Sequence, residues 1–442
     1  MRPSLQRCVA RRWVFGLSQP LPRAAYPACS DVRCYVPHGQ HRYIYTRTLS
    51  PVFSGQLTAV PARRTSSQPS VQHTSPGIAR LGWISQQRMK STTTMSTPPR
   101  VLVFGTGSVG AVYAWILFRA VGSDNLYTVC RSNYAVASTA GFTINSTIFG
   151  EGVNFKPQVV RSVDEAVSRS GGKPFDFIVV TAKAIHTTPS MPEQLRPAIS
   201  PQTTIALIQN GIAIEEPYRA LYPDNPLLSC VVYLPATQTA PAVIAHREIE
   251  LLHIGTYPTN ASREHQAAAE SFARLLNAGG GSTQVHDDVQ PERWSKLMVN
   301  ASWNPVCALS RSRDAQFLHS SPPEYSLNLI KSLMTEIAAV ARSRGYDNVN
   351  ADTIEYQINR AKVRGLPGIE PSMLADAKVG ARMEVDAIVG NAVRLAEERG
   401  VQTPLLRGIY ALVKALDASF QRELEKKLQV NGKGKPEEQS RI

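Results

Sequence analysis

One stretch limits the folds open to this chain more than any other: Arg100 to Ala111, RVLVFGTGSVGA. Val101 to Phe104 is an unbroken apolar run, the mark of a central parallel strand covered on both faces. Gly105, Gly107 and Gly110 follow as G-x-G-x-x-G. In that pattern the first glycine allows the tight turn, the second lets a pyrophosphate approach the backbone, and the third lets helix and strand pack closely. The residues from Ala111 to Phe118 read as an apolar, glycine-free helix. Its N-terminal N–H groups and dipole would face the phosphates. The whole turn, Gly105, Thr106, Gly107, Ser108, Val109 and Gly110, is therefore a candidate dinucleotide cradle. A bare glycine pattern also fits a plain glycine-rich turn; the strand–turn–helix context favours the cradle.

The chain has 442 residues, enough for two to three domains, and a net charge of +14. That charge is local. Residues 1–100 hold thirteen Arg, Lys90 and a single acid, Asp31, and so carry +13 of it. The nearly neutral remainder gives no reason to expect a nucleic-acid partner. Residues 1–98 are rich in Arg, Ser, Pro and Gln and lack periodicity; they read as a disordered basic leader. Met1 to Leu17 can form a short basic amphipathic helix, the composition of a mitochondrial transit peptide, which points to the matrix. The other reading is a merely disordered extension. Met95 stands just before the first strand, so a start there would give a cytoplasmic form. No run of about 18 apolar residues is present, and membrane insertion is not expected. The six Cys are scattered without C-x-x-C pairs, and the nine His show no ligand spacing, so no metal site is expected. His253 and the His286-Asp287-Asp288 cluster read as surface or strand-end residues.

Residues 99–288 alternate strands and helices, as in a Rossmann-type α/β domain. The second strand, Asn125 to Cys130, is followed by Arg131 where an NAD-selective site would carry an acid. A guanidinium suits a 2′-phosphate, so NADP(H) is preferred to NAD(H); a solvated loop arginine is the alternative. Strands at Phe175–Val180 and Thr204–Ile208 end in Lys183 and Asn210, at the edge where ligands bind in open α/β sheets. Residues 289–425 change to long helices. On the first, Lys296, Asn300 and Asn304 form one polar stripe at i, i+4 and i+8, costly to bury without partners and also compatible with a solvated face. Further helices are expected at Glu324–Arg344, at Ser372–Arg399, broken or bent near Gly380 with Glu384 close to it, and at Pro404–Leu424. The polar residues 426–442 read as a disordered tail.

Five segments in order resemble the ketopantoate reductase (2-dehydropantoate 2-reductase) family: GTGSVG at 105–110, VVTAKA at 179–184, QNGI at 209–212, ERWSKLMVNASWNP at 292–305 and PSMLADAKVGARMEVD at 371–386. The resemblance implies a Rossmann-type NADP-binding domain, an all-helical C-terminal domain, and an active site in the cleft. It also implies roles: Lys296 as general acid, Asn300, Asn304 and Ser372 at the substrate, Glu384 orienting the lysine or binding a substrate hydroxyl, and Lys183, Asn210 and Arg131 lining the cofactor cleft. The implied reaction is NADPH-dependent reduction of a small 2-oxo acid, ketopantoate, in pantothenate and coenzyme A synthesis. A reductase of another 2-oxo acid and a non-catalytic NADP-binding protein are the alternatives. Two departures bear on substrate. Asp314 stands where the family has a substrate-contacting asparagine, and Gly368-Ile369-Glu370-Pro371 lacks the polar residues expected before Ser372. The helical domain also leaves room for a homodimer interface, with no residue pattern that names one.

Overall fold

The structure, a computed structural model, describes residues 97–432, with side chains as far as residue 426. The leader, the start at Met95 and residues 433–442 lie outside the described residues. Twelve strands are described: β1 (Val101–Phe104), β2 (Leu126–Val129), β3 (Phe142–Ser146), β4 (Gly150–Phe155), β5 (Gln158–Val160), β6 (Phe177–Val180), β7 (Thr204–Ile208), β8 (Leu227–Tyr233), β9 (Ala236–Ala240), β10 (Val243–His246), β11 (Leu251–Thr256) and β12 (Thr283–Val285). Eight of them form one sheet in the order β12-β11-β8-β7-β6-β1-β2-β5. Pairing is parallel except where β11 meets β8. Every residue of β1, β6 and β7 except Thr204 is apolar and all are buried, as strands covered on both faces require. β1 is flanked by β2 and β6, so the chain leaves it to opposite sides, and the carboxyl ends of these strands open the crevice used for ligands in such sheets.

A second, four-stranded sheet, β4-β3-β10-β9, was not apparent in the sequence. Its outer strands are mostly exposed and carry no sustained apolar run. The helix Ser108–Val121 shares a core with both sheets: Val112, Tyr113 and Ile116 pack with Val101 and Val103 and with Phe142, Ile144 and Ile244.

From Gln290 onward the chain is helical: Gln290–Ser310, Asp314–Ser320, Pro323–Ser343, Ala351–Lys362, Ser372–Lys378, a π-turn at Asp386–Gly390, Asn391–Glu398 and Pro404–Gly432. This is the expected fold class, an α/β domain with a parallel sheet followed by helices. Trp294, Leu297 and Met298 pack on Leu333, Met334 and Ile337, and on Ile388 and Val389 of the π-turn. Two details differ from the sequence reading, and a third decides an alternative it left open. Asp314–Ser320 and Ala351–Lys362 are helices it did not mark. The break near Gly380 is complete: φ is +64° there and residues 381–384 are irregular. The last helix continues to Gly432, past the expected end at Leu424, because the Glu- and Lys-rich residues 423–427 favour helix. No helix among the described residues is long and apolar enough to cross a membrane.

Candidate active site

The glycine turn closes β1 with the geometry that its three glycines suggest. Gly105 has φ +96°, and a Cβ there would strike the backbone of Ala182. Gly110 lies so close to β1 that a Cβ would sit 2.5 Å from the Gly105 carbonyl oxygen and 2.5 Å from Thr181 Oγ1. Above Gly107, in contrast, a Cβ would meet nothing within 4 Å. The helix that starts at Ser108 has no side-chain cap and no acid in its first turn, so its first N–H groups point into that open space. A dinucleotide phosphate fits this cradle on both counts. Not all six turn residues face it: the Thr106 hydroxyl donates to the Val129 carbonyl at 3.2 Å, and Val109 packs into the core. Arg131, just past β2, is exposed and its side chain is bonded, among the described residues, only to Gln194 Oε1, at 3.3 Å, leaving a guanidinium beside the cradle that can take a further anionic group. Asn133, which sequence reasoning missed, ties this loop together: its amide donates to the Thr106 carbonyl and to Gln238, both at 2.9 Å, and its Oδ1 accepts from Ala242 N.

At the carboxyl end of β7 stands the turn Gln209-Asn210-Gly211, and across from it the helix Gln290–Ser310. The Lys296 ammonium donates to Asn210 Oδ1 at 2.9 Å and to the Val232 carbonyl of β8. It lies 5.2 Å from the centroid of the Tyr233 ring. A cavity of about 10 Å³ between the two elements is walled by Gln209, Asn210, Gly211, Arg293, Lys296 and Asn300. The stripe Lys296, Asn300, Asn304 therefore does not face solvent, but it also does not act as one unit. Asn304 is buried one turn further on, where its Oδ1 accepts from Met373 N at 3.3 Å and Ser372 Oγ at 3.4 Å, capping the helix Ser372–Lys378. Ser372 is exposed at that helix start.

Burial pushes the Lys296 ammonium down to about 7; the nearby Arg293 guanidinium pushes the same way, and Glu384 opposes both. This departs from an ordinary lysine, which stays protonated well above neutral pH. Burial raises the Glu384 carboxyl above its usual range, with Lys183 acting against that shift. Glu384 sits in the irregular segment before the π-turn, and its Oε1 accepts the Ala184 N–H at 2.8 Å, joining the helical part to the end of β6. Lys183 joins the same two parts: its ammonium lies 2.7 Å from Asp376 Oδ1 and donates to the Arg382 carbonyl at 3.0 Å. Sequence reasoning did not single out Asp376, although it lies in the quoted 371–386 segment.

Two other expectations change. Asp314 is buried and engaged by its own neighbours: it pairs with Arg364, and its Oδ1 accepts from Ala315 N at 2.7 Å and Ile369 N at 2.6 Å. Its charge is spent on holding the 364–369 segment, where Gly368, at φ +82°, leaves no room for a side chain against that carboxylate. His253 is not on the surface; it is buried on β11 with Nδ1 2.8 Å from His286 Nε2. Cys130, Cys230 and Cys307 are free and buried, and no metal-holding cluster occurs among the described residues.

Comparison with known proteins accords with this geometry. The family model for ketopantoate reductase PanE/ApbA matches residues 101–259, and the model for its C-terminal part matches residues 288–417. An uncharacterized protein of Saccharomyces cerevisiae is 30% identical over 341 residues, 73% of this chain and 94% of that one. The crystal structure of 2-dehydropantoate 2-reductase from Methylococcus capsulatus superposes with a TM-score of 0.62 at 30% identity, covering 73% of this chain and 97% of that chain. A D-mandelate dehydrogenase, solved with NADH and anilino(oxo)acetate, shares the fold at 19% identity and a TM-score of 0.62, over 73% of this chain and 99% of that chain. With cradle, lysine helix and family models falling on the same residues, the chain belongs to the ketopantoate reductase PanE/ApbA family.

Proposed function

We propose that this protein reduces a small 2-oxo acid to the 2-hydroxy acid with NADPH, and that ketopantoate is its substrate. The observation that carries the reading is Lys296. It is a half-buried ammonium held by Asn210 and the Val232 carbonyl, at the sheet edge that also carries the glycine cradle. Such a lysine, pushed down to about 7, is matched to donate a proton near neutral pH.

The first backbone N–H groups of the helix, at Ser108 and Val109, would hold the cofactor's pyrophosphate, and Arg131 its 2′-phosphate. When bound, the cofactor supplies the hydride that goes to C2 of the substrate. Lys296 Nζ gives its proton to the carbonyl oxygen and is left as a neutral amine, so that with the hydride on C2 the carbonyl becomes a secondary alcohol. Until that moment its charge stabilises the oxyanion as it forms. Asn210 and Val232 fix the ammonium, so no reorientation is needed in the transition state. Asn300 offers a neutral amide to the same cavity, suited to a carboxylate or hydroxyl. Glu384 keeps the helical part docked on β6 and counters the loss of charge on Lys296.

A second reading has one observation in its favour. Asp314 is consumed by Arg364 and the 364–369 backbone, so this position offers no free group to a substrate hydroxyl, and a 2-oxo acid without one would lose nothing. The test is NADPH oxidation by the full-length protein with ketopantoate, 2-oxoisovalerate and benzoylformate. Turnover fastest on ketopantoate is the expected result; turnover on another acid alone moves the protein to the second reading. Binding of NADPH with no turnover on any of them would leave a binding protein. For location, the Arg-rich residues 1–98, with Asp31 as their one acid, support import into the mitochondrial matrix, which fractionation of cells expressing the full chain tests.

A further inference from the structure

Arg293 is among the most thoroughly engaged charged side chains of the described fold. It is 3% exposed. Its Nε donates to Ser229 Oγ at 2.9 Å and lies 3.1 Å from Glu215 Oε1, a carboxylate that is 0% exposed. One terminal nitrogen donates to two carbonyls, Gln209 at 3.1 Å and Gly211 at 3.0 Å; the other donates to the Cys230 carbonyl at 3.0 Å. Those two carbonyls bracket Asn210, whose Oδ1 receives the Lys296 ammonium. The same turn is held from its other side, where Ile212 N donates to the Ala387 carbonyl of the π-turn at 3.0 Å.

We propose that Arg293 is a positioning residue of this site: its guanidinium clamps the Gln209–Gly211 turn and so sets Asn210 against Lys296, one turn further along the same helix. The inference rests on the reduction proposed above for its effect on rate, but not for its geometry. A planar fork that reaches a hydroxyl, a carboxylate and three carbonyls at once has no equal in lysine, whose ammonium is a point charge. Burying that fork is also costly unless every partner is present, and here they are. The charged groups that face Lys296 are Arg293 on its own helix and Glu384 on the segment before the π-turn, with His253 of β11 beyond the Tyr233 ring.

The experiment is a double-mutant cycle in the full-length protein with Arg293→Lys, Asn210→Ala and both together. It reads kcat and KM for the oxo acid that is turned over, and the titration of Lys296 by 13C NMR of labelled lysine, assigned with Lys296→Ala. Arg293→Lys keeps the charge and loses the fork, so any shift in the titration reports position rather than charge. Each single change should lower kcat about 10- to 100-fold with KM within about threefold, since misplacement by about 1 Å costs that much. Each should also move the Lys296 titration downward, because the ammonium loses an acceptor. The double variant should match Asn210→Ala alone in both readouts. Additive effects, or Arg293→Lys with the wild-type titration, would overturn the proposal. Should Arg293→Lys fail to fold, Ser229→Ala takes its place, since it removes the Nε partner and leaves the buried ion pair whole. Should no oxo acid be turned over, the reductase reading falls, and the titration arm still decides the role of Arg293.

Discussion

The proposed reduction rests on two single side chains, Arg131 for the cofactor's 2′-phosphate and Lys296 for the proton. Arg131 is exposed and has one weak neutral partner, so its guanidinium is available to a phosphate. Arg131→Ala should lower kcat/KM for NADPH by about 10- to 100-fold, the worth of charge-assisted hydrogen bonds, and leave NADH little changed; the ratio of the two measures it. An unaltered ratio would make Arg131 a bystander. Lys296 could be named from its spacing and from the resemblance, as could Asn210, and the structure brings the two within 2.9 Å. Arg293 could not. In sequence it is one more charge on an amphipathic helix, and only the fold reveals the three carbonyls and the carboxylate around it. Asp314 shows the opposite limit. The resemblance marks it as a departure at the substrate, whereas its partner Arg364 lies fifty residues away and no local pattern joins them. Asp314→Ala should leave Arg364 and the Ile369 N–H without their acceptor. The expected cost is about 1–3 kcal/mol in chemical denaturation, together with faster amide exchange over 364–370.

Elements were legible wherever one periodicity dominated. β1, β6 and β7 are continuous apolar runs, and the helix Pro323–Ser343 has a clear apolar stripe, so sequence places them within two residues. The second sheet is built from short, half-exposed strands with no such signal, and the seven-residue helix Asp314–Ser320 is too short to show a period. The glycine turn gives a test that separates folding from binding. Gly107→Ala meets no protein atom, so the melting temperature should stay within about 1 °C while NADPH affinity falls at least tenfold, because the methyl occupies the phosphate's approach. Gly110→Ala drives a methyl into the Gly105 carbonyl and Thr181, and should cost about 1–3 kcal/mol of stability. Calorimetry and NADPH titration of the two variants check both. A Gly107→Ala protein that binds NADPH normally would mean that the turn is a packing device.

At the scale of the whole molecule, the site exists only because two parts of the chain meet. Lys183 and Ala184 at the end of β6 bond to Asp376, Arg382 and Glu384, and the Gln209–Ile212 turn is gripped by Arg293 on one side and by the π-turn on the other. Neither the sheet nor the helices alone would hold an ammonium at this depth. That depth has a consequence for pH. With Lys296 at about 7, its ammonium, the proposed proton donor, is present below that value and is lost as pH rises through it. The most direct test is therefore the pH dependence of kcat for ketopantoate and NADPH in the full-length protein, wild type beside Lys296→Ala. The expected result is a wild-type rate that falls about tenfold per pH unit on the alkaline side of a midpoint near 7. The variant should be about 10²- to 10⁴-fold slower, without that limb and with NADPH affinity within about threefold of wild type. A variant that keeps the wild-type rate, or that keeps the alkaline limb, would contradict the assignment of the proton to Lys296.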